Sequence, residues 1–138
     1  MAQPFDIPAL TDGMPEARVM RGENYHAHGW VSLVDHGPGG LLAHVTGERG
    51  IAYVVDLAAP DGRDASCTCP DFQDGRLTCK HIVAAALAAN AAGEAGLADA
   101  AQRLPRLLDM LDMEGRDDAG DLVDRARRDP VLLRDLEG

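Results

Sequence analysis

Aromatic residues and cysteines are scarce in this chain. Five of its 138 residues are aromatic and three are cysteines. A protein that binds nucleic acid by stacking bases on a platform of rings needs more aromatic side chains than this. The sequence also lacks a Gly-rich phosphate loop followed by lysine, a nucleophile elbow and a paired His-Glu metalloprotease motif. These absences predict a protein that is not an enzyme and has no small-molecule substrate.

Long apolar runs are missing as well. No stretch reaches the length that spans a bilayer without meeting a charge or a glycine. No secretory signal peptide opens the chain, and an odd number of cysteines would leave one thiol over in a disulfide framework. We therefore expect reduced cysteines and a cytoplasmic protein without membrane contact, with association to the nucleoid as an alternative.

Basic residues are outnumbered, and lysine occurs only once. The chain has 23 Asp and Glu against 13 Lys and Arg, a formal net charge of −10. This balance opposes generic duplex binding, which gains most of its affinity from a basic face. The charge is uneven, with −4 over residues 1–60, −1 over residues 61–92 and −5 over residues 93–138. A weak patch that faces DNA is therefore expected only in the middle segment.

The high content of Arg, Asp and Ala has two interpretations. A GC-rich genome explains the Arg and Ala, whereas a salt-accumulating organism would select an Asp-rich, Lys-poor surface. In molar salt the Debye length falls to about 3 Å, so net charge would then say little about partners.

The three cysteines lie close together and share a pattern with one histidine. Cys67 and Cys69 enclose one residue, nine residues follow, and Cys79 and His81 again enclose one residue. In an extended segment the first two side chains leave the same face, and the Asp-Gly pair at 74–75 favours a reversal of the chain. Zinc prefers four nitrogen or thiolate donors in a tetrahedron. The pattern predicts a metal site rather than three buried free thiols, which is the alternative.

The run after the last cysteine favours a helix. Residues 82–89 are strong helix formers, so His81 is expected at a helix start. The partial positive charge of a helix start stabilises a nearby thiolate, and so does the ammonium group of Lys80.

This pattern resembles the SWIM zinc finger, which is defined by Cys-x-Cys, a variable gap and Cys-x-His. The runs Cys67-Thr-Cys-Pro-Asp-Phe and Cys79-Lys-His-Ile carry the resemblance, over roughly residues 50 to 90. The lead-in from Arg21 to Val31 is a weaker part of it. The resemblance implies a Zn²⁺-stabilised interaction module that contacts DNA or protein and is not itself a catalyst. By motif position, the ligand roles fall to Cys67, Cys69, Cys79 and His81.

The fold class is expected to be α+β, with a small antiparallel three-stranded sheet followed by a zinc-bound finger and C-terminal helices. Turn-rich segments separate three candidate strands, and the helix after His81 is the nearest apolar cover for the sheet. We expect an irregular arm over 1–20 with one helical turn at Glu16–Met20, a meander and finger over 21–92, and a helical extension over 93–138. The predicted strands are His28–Val34, Leu41–Thr46 and Ile51–Leu57.

The C-terminal extension carries a leucine stripe at helical spacing. Its members are Leu97, Ala101, Leu104, Leu108 and Leu111. The stripe is expected to be intramolecular core, with a partner surface as the alternative. Pro105 is expected to begin a new helix or to kink this one. Two short helices are predicted after it, at Leu122–Arg128 and Val131–Leu136.

Three functions remain open. The first is an accessory protein in repair, recombination or remodelling that contacts DNA, with Arg63, Arg76 and Lys80 as candidate nucleic-acid-binding residues. The second is an adaptor that docks a larger protein, such as a helicase or recombinase, without DNA contact. The third is electron transfer, because the CDGSH proteins ligate an iron-sulfur cluster with three cysteines and one histidine. That family places three residues between the last cysteine and the histidine, whereas this chain has one.

The other histidines are His26, His28, His36 and His44. We expect them to have surface or hydrogen-bonding roles, because no acid or cysteine near them in sequence completes a second metal site.

Overall fold

The computed structural model describes residues 4–75 and 78–138, and within them the chain forms helices around one antiparallel sheet. The strands are β1 (Val31–Gly37), β2 (Gly40–Thr46), β3 (Ala52–Leu57) and β4 (Ser66–Cys67). The helices are α1 (Ile7–Leu10), α2 (Glu16–Ala27), α3 (Pro70–Gly75), α4 (Lys80–Met113), α5 (Ala119–Arg127) and α6 (Pro130–Glu137). The predicted α+β class with C-terminal helices is confirmed.

The sheet has four strands in the order β1-β2-β3-β4, one more than predicted. The additional strand is only two residues long and pairs Cys67 with Val55 and Ser66 with Asp56. Two residues carry no alternating pattern, so the sequence could not reveal this strand. Its consequence is that the first cysteine is fixed to the sheet.

The N-terminal segment is more helical than the sequence suggested. Instead of one turn, α2 continues to Ala27, and β1 therefore begins at Val31 rather than at His28. The buried residues of α2 are Gly22 and Tyr25, which give no apolar stripe that a pattern search could detect. A Cβ on Gly22 would lie 2.7 Å from the Val83 side chain, so the glycine lets α2 and α4 approach closely.

Both faces of the sheet are covered. Neighbouring residues of β2 point to opposite faces, so Ala43 and Leu42 belong to two separate clusters. We call these clusters the finger-side core and the leucine core. The finger-side core includes Tyr25, Leu41, Ala43, Val45, Val55, the three cysteines and residues 82–86. The leucine core includes Val34, Leu42, Val54, Leu104, Leu107, Leu111, Leu122, Val123 and Leu133.

The long helix α4 contributes to both cores because its backbone breaks at Gly93. This residue has φ 68° and ψ −172°, a conformation that glycine adopts without steric cost. Residues before the break pack into the finger-side core, and most of the buried residues after it pack into the leucine core. The prediction that Pro105 begins a new helix is wrong, since Pro105 lies inside the second half of α4.

The leucine stripe is largely buried. Leu104 and Leu111 are each 2 % exposed, and α5 and α6 cover them with Leu122 and Leu133. The interpretation of the stripe as intramolecular core is therefore the one that the packing supports. No helix in the described part of the chain is long and apolar enough to cross a membrane.

Candidate metal centre

The structure brings Cys67, Cys69, Cys79 and His81 together in the protein interior. One ligand atom from each residue lies within 4.8 Å of the others, and all four side chains are buried. Cys67 comes from β4, Cys69 directly precedes α3, Cys79 is the N-cap of α4, and His81 lies in its first turn. A strand end, a short helix and a helix start therefore meet at one point.

The spacing of these atoms fits a single tetrahedral ion. His81 Nδ1 lies 3.8 Å from Cys67 Sγ and 3.7 Å from Cys79 Sγ. Bonds of about 2.3 Å to sulfur and about 2.0 to 2.1 Å to nitrogen give a tetrahedron with edges of about 3.5 to 3.8 Å. The donor atoms, all within 4.8 Å of one another, are therefore near the spacing that one zinc-sized ion requires.

Each sulfur also receives a hydrogen bond from the backbone. The N–H groups of Cys69, Phe72 and Ile82 donate to the sulfurs of Cys67, Cys69 and Cys79, respectively. Each of these bonds lowers the pKa of the thiol that accepts it, because it stabilises the thiolate. Thiolates are the form of cysteine that binds metal ions.

The three thiols lie close enough to influence one another's ionisation. The hydrogen bond between Cys67 and Cys79 raises the pKa of Cys67 and lowers the pKa of Cys79 to about 4. Burial is the main cause that raises the pKa of Cys69. Three buried thiolates are unfavourable side by side unless a cation compensates them. The charge of a divalent metal ion provides that compensation.

Local hydrogen bonds hold the loop that carries the first two cysteines. Thr68 Oγ1 accepts from Val54 N at 2.9 Å, so the side chain between the cysteines turns to β3. Gln73 Nε2 donates to the Cys67 carbonyl at 2.8 Å, and Gln73 N donates to the Cys69 carbonyl at 3.0 Å. Gln73 was not predicted as a site residue, although its position inside a Cys-rich loop was an available signal.

Two tyrosines enclose the His81 ring. The ring centroids of Tyr25 and Tyr53 lie 5.4 Å and 4.7 Å from that of His81. His81 Nε2 is buried and has no hydrogen-bond partner among the described residues. The ring is thus positioned by aromatic packing, whereas most metal-binding histidines donate their second N–H to an oxygen. Neither tyrosine was predicted as a neighbour of the site.

Two of the three candidate nucleic-acid-binding residues, Arg63 and Lys80, lie in the described part of the chain. Lys80 lies at the site, with its Nζ 5.8 Å from the centre of the Tyr25 ring. Arg63 is exposed and forms an ion pair of 2.9 Å with Asp61 in the loop between β3 and β4. That loop contacts α1, because a Cβ on Gly62 would lie 3.1 Å from Leu10. Arg76 lies outside the described residues.

The remaining histidines lie outside the cluster. His44 is 5 % exposed, and its Nε2 donates to the Arg127 carbonyl at 2.9 Å. Burial lowers the pKa of His44. His28 is exposed, and its Nδ1 donates to the Asn24 carbonyl at 2.7 Å. His26 and His36 are partly exposed.

A buried cluster of three cysteines and one histidine, built between a strand end and a helix start, defines a small metal-binding module of the zinc-finger class. Residues 53–90 match the family model of the SWIM zinc finger. The chain therefore carries a SWIM zinc finger, and the resemblance seen in the sequence is confirmed. The matched segment runs from β3 into the first half of α4 and contains all four clustered residues. No curated protein and no solved structure matches the chain.

Proposed function

We propose that Cys67, Cys69, Cys79 and His81 bind one Zn²⁺ ion, which holds the finger together. The coincidence of the SWIM match with a buried four-donor cluster carries this proposal. Bound zinc would supply a structural cross-link between β4, α3 and α4. An iron-sulfur cluster fits less well, because a two-iron cluster distributes its ligands over two metal atoms, whereas these four donor atoms surround one point.

The site is proposed to be structural rather than catalytic. Four protein ligands fill the tetrahedron of zinc, and catalytic zinc sites keep one position open for water or substrate. All four residues are at most 3 % exposed, which leaves no path for a substrate to the ion. The protein is accordingly proposed to be an interaction module and not an enzyme.

The module is proposed to act as an accessory protein in repair, recombination or remodelling, where it contacts DNA and a partner such as a helicase or recombinase. The SWIM match supports this role. Reduced thiols at the site are consistent with an intracellular location. The net charge of −10 favours the second candidate, an adaptor that binds a protein without DNA contact.

A DNA-binding titration with and without zinc tests the proposed role. The zinc-loaded protein is expected to bind labelled DNA at low salt, as measured by fluorescence anisotropy, and to lose the binding after chelation. Lys80→Ala is expected to weaken binding and reduce its salt slope, whereas Arg63→Ala has a smaller effect because Asp61 already pairs with Arg63. Absence of DNA binding by the zinc-loaded protein would leave the adaptor as the function.

A further inference from the structure

Some cations of the described residues form ion pairs, and others do not. Six arginines form ion pairs within residues 4–75 and 78–138, and five of those pairs involve an arginine of the C-terminal helical region. They are Arg63–Asp61, Arg103–Glu137, Arg106–Asp99, Arg116–Asp118, Arg127–Asp35 and Arg128–Asp56. Arg18, Arg21 and Lys80, near the finger, have no acidic partner in this part of the chain, and the same holds for Arg49, Arg125 and Arg134. Positive charge beside the finger is therefore not neutralised by direct ion pairing.

One of these cations contacts an aromatic ring, and a second lies one helical turn from it. Lys80 Nζ lies 5.8 Å from the centre of the Tyr25 ring, within the range of a cation-π contact. Arg21 precedes the buried Tyr25 by four residues on α2, so it lies one helical turn away from that residue. Arg18 is turned to the start of α4, where its Nη1 donates to the Thr78 carbonyl at 3.5 Å. Arg21, which is exposed, and Lys80 remain available to an anionic partner.

Aromatic rings lie next to these cations at the C-terminal end of α2. The Trp30 ring packs against Tyr25 with a centroid distance of 5.1 Å and against His28 with 4.7 Å. His28 is exposed and Trp30 is partly exposed. The low aromatic content of the whole chain argued against base stacking. The structure nevertheless gathers three of the five aromatic residues, Tyr25, Trp30 and Tyr53, around the metal centre and the end of α2.

We propose that Arg21, His28, Trp30 and Lys80 form a surface, called here the finger-end surface, that binds single-stranded nucleic acid. The inference deepens the proposed function and rests on its DNA contact. Cations beside partly exposed rings are the combination that single strands use, since the phosphates meet the cations and the unpaired bases stack on the rings. In a duplex the bases already stack on each other, and its higher charge density is repelled more strongly by a protein of net charge −10.

The only tryptophan of the chain provides a direct readout. A titration with oligo(dT) at low salt is expected to quench the fluorescence of Trp30, because a base stacks on or beside its ring. Anisotropy of labelled oligo(dT) measures the affinity in parallel. A duplex of the same length is expected to bind at least about tenfold more weakly and to leave the fluorescence nearly unchanged.

A charge reversal at Arg21 tests the location. Arg21→Glu is expected to weaken oligo(dT) binding by about tenfold or more and to reduce the salt slope by about 0.7, the value for one lost phosphate contact on a single strand. Arg125→Glu is the matched control, because Arg125 is exposed on α5, has no ion pair among the described residues and undergoes the same change of charge. His28→Ala, an exposed change, is expected to weaken binding about fivefold or more through lost stacking. Circular dichroism and zinc content verify that each variant is folded.

The outcomes separate the inference from the proposed function. Quenching together with a selective loss in Arg21→Glu and His28→Ala supports the finger-end surface. Equal binding by the parent and all variants would overturn this surface and leave DNA contact intact. Tighter binding to duplex without quenching would also overturn it. If neither single strands nor duplex bind, the inference and the DNA contact both fail, and a protein-only adaptor remains.

Discussion

The two halves of α4 pack against opposite faces of the sheet and bury different side chains. Before Gly93, the buried residues include Ala84, Ala85, Ala86 and Ala89. After it, Leu104, Leu107 and Leu111 are buried in the leucine core, whereas Leu97 still belongs to the finger-side core. Alanine buries much less apolar area than leucine, at about 0.8 kcal/mol for each missing methylene. The finger-side core therefore gains less from apolar burial for each helical turn than the leucine core does.

The two regions also differ in charge. Ion pairs tie the leucine-core region together, as between Arg127 and Asp35 at 2.6 Å and between Arg103 and Glu137 at 2.7 Å. The cations at the finger have no such partners among the described residues. This difference indicates that the C-terminal region stabilises itself through packing and ion pairs. We propose that the finger depends instead on its metal ion and that its cations belong to the proposed finger-end surface.

Loss of a metal ligand is expected to have the largest effect. Cys79→Ser should abolish metal binding and the cooperative unfolding of the finger, because the binding free energy of such sites, about 10–16 kcal/mol in zinc-finger peptides, is also folding free energy. Metal analysis and thermal unfolding by circular dichroism check this result. The conservative change Thr78→Ser beside it is the control. An unchanged melting transition in metal-free Cys79→Ser would contradict the dependence of the finger on its metal.

A cavity in the leucine core is expected to be the next largest change. Leu104 is 2 % exposed, so Leu104→Ala should lower the free energy of unfolding by about 2–5 kcal/mol and leave zinc in place. Chemical denaturation and metal content measure the two quantities. Met113→Ala on the same helix is the control, since Met113 is 89 % exposed and its change should remain within about 0.5 kcal/mol. Zinc loss in Leu104→Ala would show that the two regions are not energetically separate.

Gly93 tests the connection between the regions. Gly93→Ala should cost about 1–3 kcal/mol, because alanine at a φ of 68° is strained although nothing lies within 4 Å of the new Cβ. Gly120→Ala in α5 meets equally open space at ordinary helical φ and should be neutral or stabilising. In denaturation experiments, Gly93→Ala is expected to lower the free energy of unfolding, whereas Gly120→Ala is expected to leave it unchanged or raise it. If Gly93→Ala left the free energy of unfolding unchanged, the helix break would not require glycine at this position.

The smallest expected effect is a pH dependence on the leucine-core side. Burial holds the pKa of His44 below its usual value of 6.5. The hydrogen bond to the Arg127 carbonyl raises the pKa, Arg103 lowers it, and the carboxylates of Asp129 and Glu137 raise it. The unfolded chain therefore takes up the proton first, and the His44 contribution to stability is complete above about pH 6.5 and falls as the pH decreases.

His44→Gln isolates this contribution, because glutamine still donates to the Arg127 carbonyl but does not titrate. The variant should lose less stability than the parent between pH 7 and the acid range, measured by denaturation at matched zinc occupancy. Identical slopes in the parent and in His44→Gln would contradict the effect of burial.

The sequence revealed the site better than its surroundings. The four clustered residues lie within one short segment, and their spacing combines a strand end, a reversal and a helix start, all of which are local features. Tyr25 and Tyr53 reach His81 from α2 and β3, and such long-range contacts leave no periodic signal in the chain.

The position of the break in α4 could not be predicted from the sequence either. Residues on both sides of Gly93 continue the helical pattern, and Pro105 is the stronger helix breaker by intrinsic propensity. Packing on two faces of the sheet decides the matter, because the chain must change direction at the sheet edge and glycine is the residue that adopts φ 68° there.

Native mass spectrometry with elemental analysis and a visible spectrum tests the central claim most directly. The account predicts one zinc ion for each chain, no colour, and loss of the ion together with the folded finger on chelation. A folded chain without metal, or iron with visible absorption bands, would contradict it.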